Sequence, residues 1–170
     1  MTRIISTTLL FFLLFSAKVW SQATVTAQAY AEIIAALTAT ETSQMNFGRF
    51  SPEVQGGQIV LSPGGERNSL GSVILGGGNA QPGIFTITGE PDATYSIQLP
   101  QGPAYLNHQG SNNTMQVTNW QSNPPAGNGT GTLAEGHQTV SIGATLMVGS
   151  MQDNPVGMYT GTFSLTFAYN

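Results

Sequence analysis

The side chains able to do acid–base, nucleophilic or metal chemistry are few, and their spacing does not gather them. His108 and His137 have no cysteine partners and no H-x-x-x-H spacing, so they do not form a zinc pattern. Each reads as a surface or rim residue. Ser150 stands in V-G-S-M-Q, which is not the elbow that exposes a hydrolase serine. Glu90 and Asp92 could pair as carboxylates or hold calcium, but they sit in G-E-P-D, where aspartate is an ordinary turn former. Asp153-Asn154-Pro155 reads as a turn in the same way. The glycine runs Gly76–Gly78 and Gly127–Gly131 lack the helix and lysine that a phosphate loop uses. Arg49 and Arg67 could pair with Glu53 or Glu66 on the surface. Asn112-Asn113-Thr114 and Asn128-Gly129-Thr130 match the short glycosylation pattern, which chance often produces. Trp120, beside the Pro124-Pro125 loop, is the candidate ligand contact: it could stack on a sugar, or it could anchor the loop. No triad, metal set or cofactor motif emerges. The expectation is a protein without a cofactor that is not an enzyme.

The elements that would position these residues are strands. From Gly157 to Asn170 the chain reads G-M-Y-T-G-T-F-S-L-T-F-A-Y-N. Tyr159, Gly161, Phe163, Leu165, Phe167 and Tyr169 share one face, and Thr or Ser fills most of the other. Period-two alternation predicts one half-buried strand with an aromatic inner face. At the other end Val25, Ala27, Ala29, Ala31, Ile33, Ala35 and Leu37 form an apolar row. This predicts a strand over 24–40. The alanine-rich stretch 29–37 also fits helical spacing, but no cap or glycine stop frames a helix.

Between these ends the expectations are short strands. They cover Met45–Phe50, Gln58–Leu61, Ser72–Leu75, Gly83–Thr88, Thr94–Leu99, Asn113–Trp120 and Val140–Val148. Gly89–Asp92 reads as a hairpin-like connection, and Gln121–Gly131 as a loop. Nine or ten strands with Gly/Pro turns predict a single all-β antiparallel sandwich, immunoglobulin-like or jelly-roll-like.

Arg3 followed by the apolar run Leu9–Phe15 predicts a signal peptide over 1–21, cut after Ser21 or Ala23. Residues 22–40 would then be an N-terminal strand and 41–170 the sandwich domain. Without residues 1–21 the chain keeps Arg49 and Arg67 against eight acids, has no lysine, and carries a formal charge of −6. That balance excludes a nucleic-acid footprint and a polybasic membrane contact. No cysteine is present, so a core or an assembly must supply stability.

Five stretches carry a resemblance: N-F-G at 46–48, the run at 56–65, F-T-I-T-G-E-P-D-A-T-Y-S-I-Q-L-P at 85–100, I-G-A-T-L-M-V-G at 142–149, and the closing fourteen residues. Together they resemble a family of secreted bacterial β-proteins known as a domain of unknown function. The resemblance implies fold and export rather than an activity. The C-terminal motif also resembles fimbrial subunits of the chaperone–usher kind, with Gly157 fourteenth from the end and Tyr169 penultimate. The disulfide of many such subunits is absent here. That resemblance implies a donor strand, here Val25, Ala27, Ala29, Ala31, Ile33 and Leu37. It also implies an acceptor edge carrying Phe163, Leu165, Phe167 and Tyr169.

Length supports assembly on independent grounds. A strand over 24–40 would span about 55 Å at about 3.3 Å per residue, too long for a sandwich strand, so the segment either bends between two sheets or projects beyond its own domain, and if it projects it must pair with something. The expected function is therefore a structural subunit of a pilus-like or other surface assembly. Its partners would be itself or related subunits by strand pairing, with a periplasmic chaperone and an outer-membrane usher in transit. Its location would be the periplasm, then the cell surface or an extracellular fimbria. The alternative is a stand-alone secreted adhesin or carbohydrate-binding sandwich whose partner is a glycan or host surface.

Overall fold

Alternating apolar and polar residues bury one side of a chain only if a second sheet covers that side. In the computed structural model, which describes residues 22–170, this chain meets the condition with eleven strands and no helix among the described residues. The signal peptide expected over 1–21 lies outside the described residues. The strands are β1 (Thr38–Ser43), β2 (Phe50–Leu61), β3 (Arg67–Leu75), β4 (Gly83–Thr88), β5 (Thr94–Gln98) and β6 (Ala104–His108). They continue with β7 (Thr114–Asn123), β8 (Gly127–Thr132), β9 (His137–Val148), β10 (Tyr159–Thr160) and β11 (Thr166–Tyr169). The unit that carries them spans Ile34–Asn170.

Eight strands form one sheet, with β1-β4-β9-β7-β6-β10 as its main path, β2 joined to β9 and β3 joined to β2. The second sheet is β11-β5-β8. Every pairing between these strands is antiparallel. The molecule is thus the all-β antiparallel sandwich that the alternation predicted. Strand β9 is the spine: it pairs with β4 through Ile142, with β2 from Ala144 onward, and with β7. Its row Val140, Ile142, Ala144, Leu146 and Val148 is buried, as its spacing required. Ile59, Leu61, Met115 and Val117 pack with one end of this row, and Ile87, Tyr95, Ile97 and Leu133 with the other. Each fully buried aliphatic side chain contributes about 1.5–3 kcal/mol.

Several expectations change. The strand predicted over 24–40 exists only from Thr38; residues 22–37 belong to no strand. Val25 is 89% exposed and Ile33 98%. Among the described residues this stretch pairs with no strand, and an unpaired strand gains no ladder bonds. The hairpin expected at Gly89–Asp92 is instead a crossing: β4 lies in the large sheet and β5 in the small one. The stretch 121–131, expected as a loop, contains the end of β7 and most of β8. Gly131 explains why a glycine-rich stretch is strand here. The Tyr95 ring lies where its Cβ would be, so only glycine lets β8 close against β5. Strands β2 and β3 are longer than predicted and β6 was not anticipated. Residues 45–49 give only an isolated bridge, Asn46 to Gln81.

Candidate functional site

The closing segment keeps its predicted alternation except at Gly161, which is exposed, and it does not keep its predicted continuity. Tyr159, Phe163, Leu165, Phe167 and Tyr169 are half-buried, while Thr160, Thr162, Ser164, Thr166 and Ala168 are exposed. Strand β10 pairs with β6 in the large sheet; β11 pairs with β5 in the small one. Residues 161–165 cross between the sheets and belong to no strand. Strand β11 ends its sheet, so one side of its backbone has no strand partner among the described residues. Strand β1 ends the large sheet and is open on one side too. Unpaired N–H and C=O rows on two edges form a template for a further strand.

What lies beneath the β11 edge is apolar. Phe163, Leu165, Phe167 and Tyr169 pack on the core around Val140 and Ile142, together with Leu37, Met45 and Phe85. The Phe85 ring sits 6.4 Å from both Phe163 and Phe167. Because Phe85 pairs with Glu41 in β1, these contacts bring the middle of β1 to the middle of the closing segment. The start of β1 is fixed at the other end of β11. The Tyr169 hydroxyl donates to the Ala35 carbonyl at 2.9 Å and accepts from the Glu90 N–H at 2.7 Å. The Glu90 carboxylate accepts from the Ala35 N–H at 2.9 Å. Tyr169 and Glu90 thus hold both backbone groups of Ala35. Sequence reasoning weighed Glu90 as a turn residue against a carboxylate pair or calcium ligand and placed Tyr169 on the closing strand, without the bonds that join either to Ala35.

Gly157 has a local explanation. It is exposed, and the His108 ring occupies the space that its Cβ would need. The His108 Nδ1 accepts from the Gly110 N–H at 3.0 Å, so Nε2 carries the proton and donates to the Val156 carbonyl at 3.2 Å. His108 therefore holds the chain as it enters β10, and His137 is an exposed residue at the start of β9.

Trp120 faces inward. Its ring packs 4.7 Å from that of Phe163, and its N–H donates to the Gly102 carbonyl at 3.2 Å. This is the anchoring geometry rather than an open stacking platform. Arg67 does not pair with Glu66: its guanidinium donates to the carbonyls of Phe47, Arg49 and Gly76. Asp153 accepts from the Ser150 hydroxyl and N–H, which hold its carboxyl below the usual carboxylate range. Asn154 is buried and bonds the Gly149 N–H and the Thr114 carbonyl. The turn role expected for Asp153-Asn154 is what the structure holds. No three His, Cys, Asp or Glu side chains converge among the described residues.

The structure places the six donor-strand candidates on two footings. Val25, Ala27, Ala29, Ala31 and Ile33 are exposed and outside any strand; Leu37 is half-buried and packs on the core. The family described as "Domain of unknown function (DUF4402)" matches residues 37–169. No curated protein matches the chain.

Proposed function

The chain belongs to the DUF4402 family, and we propose that it is a non-enzymatic structural subunit of a bacterial pilus-like or other surface assembly, polymerising by strand complementation. One observation carries this reading. An alternating apolar segment, 24–33, lies exposed outside every strand, while the closing strand β11 leaves one edge unpaired above a half-buried aromatic row. Added strands bind through main-chain bonds, and alternate side chains supply specificity. Val25, Ala27, Ala29, Ala31 and Ile33 would supply the apolar side chains. A periplasmic chaperone would cover the same edge in transit, and an usher would exchange it for a neighbouring subunit. The reading as a stand-alone carbohydrate-binding sandwich has less support, because Trp120 spends its ring on Phe163 and its N–H on Gly102.

The test compares a chain beginning at Gln22 with one beginning at Ile34. The longer chain is expected to give a ladder of oligomers on mild gel electrophoresis, and the shorter one a folded monomer. A monomeric longer chain, or association that survives the deletion, would overturn the proposal.

A further inference from the structure

We propose that Asn128 is a self-modifying site: its side-chain amide is lost through attack by the Gly129 nitrogen, leaving aspartate or isoaspartate on an intact sandwich. The proposal is independent of the assembly reading above.

The sequence supplies the reactants. Asn128-Gly129 is the only Asn-Gly step in the chain. Cyclisation needs the following backbone nitrogen to reach the asparagine side-chain carbonyl carbon. Glycine leaves that nitrogen unshielded, because it has no Cβ and the widest backbone freedom. Nearby asparagines are worse placed. Asn123 precedes Pro124, whose nitrogen carries no hydrogen and cannot attack. Asn112 precedes Asn113, whose side chain crowds the nitrogen.

A paired strand resists this reaction, because its ladder holds the backbone extended. Strand β8 lifts that restraint at one place. Gly131 pairs with Tyr95 and Gly127 with Ile97, so residues 128–130 stand opposite the single residue Ser96 and have no pairing partner in β5. Strand β8 ends the small sheet, so no described strand lies on its other side. The Thr130 hydroxyl donates back to the Gly127 carbonyl at 3.1 Å, curling the bulge around Asn128 and Gly129. Gly129 takes a φ of 66° there, and both residues are exposed. A bulge also keeps an edge from pairing with a further strand, so the site stays open to water.

The chemistry consumes one water and releases ammonia. The Gly129 nitrogen loses its proton to solvent and bonds to Cγ of Asn128. The Cγ–Nδ2 bond breaks, and Nδ2 takes a proton from solvent and leaves as ammonia. Water then opens the succinimide ring. Breaking the bond from nitrogen to Cγ gives aspartate. Breaking the bond from nitrogen to the Asn128 backbone carbonyl gives isoaspartate, with an extra methylene in the main chain. In a paired strand that methylene would displace the ladder beyond it. Here it falls among residues already outside the pairing, so the sheet persists.

The test holds the chain beginning at Gln22 folded in mildly alkaline buffer and samples it over weeks. Chymotryptic cuts after Trp120 and Leu133 isolate Asn128 with Asn123, which cannot cyclise. Mass spectrometry and methylation by isoaspartate methyltransferase follow the conversion. The expected result is conversion at Asn128 several-fold faster than at Asn112, with isoaspartate in excess and an unchanged melting temperature. Gly129→Ala should slow it several-fold. If that variant does not fold at its positive φ, Asn128→Gln carries the assignment and should leave the fragment's mass constant. An Asn128 that converts in urea but not in the folded chain overturns the proposal, since the bulge then protects it. Conversion no faster than at Asn112, or a folded Gly129→Ala variant that converts at the original rate, overturns it too. A melting temperature that falls as conversion proceeds overturns the claim of an intact sandwich.

Discussion

Tyr95 shows how one buried polar group ties the small sheet to the large one. Its side chain is fully buried, its hydroxyl donates to the Gln138 side chain at 2.7 Å, and burial pushes its pKa up to about 12. The folded state therefore holds the proton more tightly than an unfolded chain, whose tyrosines titrate near 10. Stability is complete below about pH 10 and falls as pH rises toward about 12. Melting temperature against pH should show this fall, and Tyr95→Phe should make it shallower. Tyr159, raised in the same direction by burial, accounts for part of the remainder. Gly131 tests the same packing from below. Gly131→Ala drives a methyl into the Tyr95 ring, and chemical denaturation should report a loss of about 1–3 kcal/mol. Neither contact could be read from the sequence: Tyr95 and Gly131 meet only because β5 pairs with β8. The strand that carries Tyr95 was legible; the partners of its side chain were not.

At the scale of elements, period-two patterning identified β4, β5, β9 and the inner face of the closing segment. It could not show that the closing segment changes sheets between Thr160 and Thr166, because alternation is local and pairing is not. It also over-extended the N-terminal strand, since a strand pattern says nothing about whether a partner is present. Residues Ala35, Glu90 and Tyr169 are far apart in sequence, and nothing about their types announced the bonds that join them. Those bonds give an element-level prediction. Tyr169→Phe removes a donor and an acceptor at Ala35 and Glu90, at a cost of about 1–3 kcal/mol. Amide hydrogen exchange should rise at Ala35 and Glu90, the two N–H groups of this network, while β9 stays protected. Phe163→Ala should loosen the sheet crossing by removing contacts to Phe85 and Trp120. Because Phe163 is only half-buried, the loss in thermal unfolding should be about 2 kcal/mol, below the full cost of a core phenylalanine.

For the whole molecule, charge makes a prediction that separates strand pairing from electrostatic association. The chain from Gln22 has two arginines, no lysine and eight acids, and Arg67 is occupied by carbonyls. Opposite charges therefore have little to contribute between copies. Association through main-chain bonds and apolar side chains should hold from low to high salt, measured as the oligomer distribution by sedimentation. Dissolution of the oligomers by salt alone would point to another kind of contact. The fastening of Ala35 to Tyr169 has a mechanical consequence. In the filament proposed above, tension would enter each domain at Ala35 and leave along the strand added by a neighbour. The pull runs along the strands, across hydrogen bonds that lie perpendicular to them. The joint is then loaded in shear, so its bonds share the force and must fail together instead of peeling open one by one.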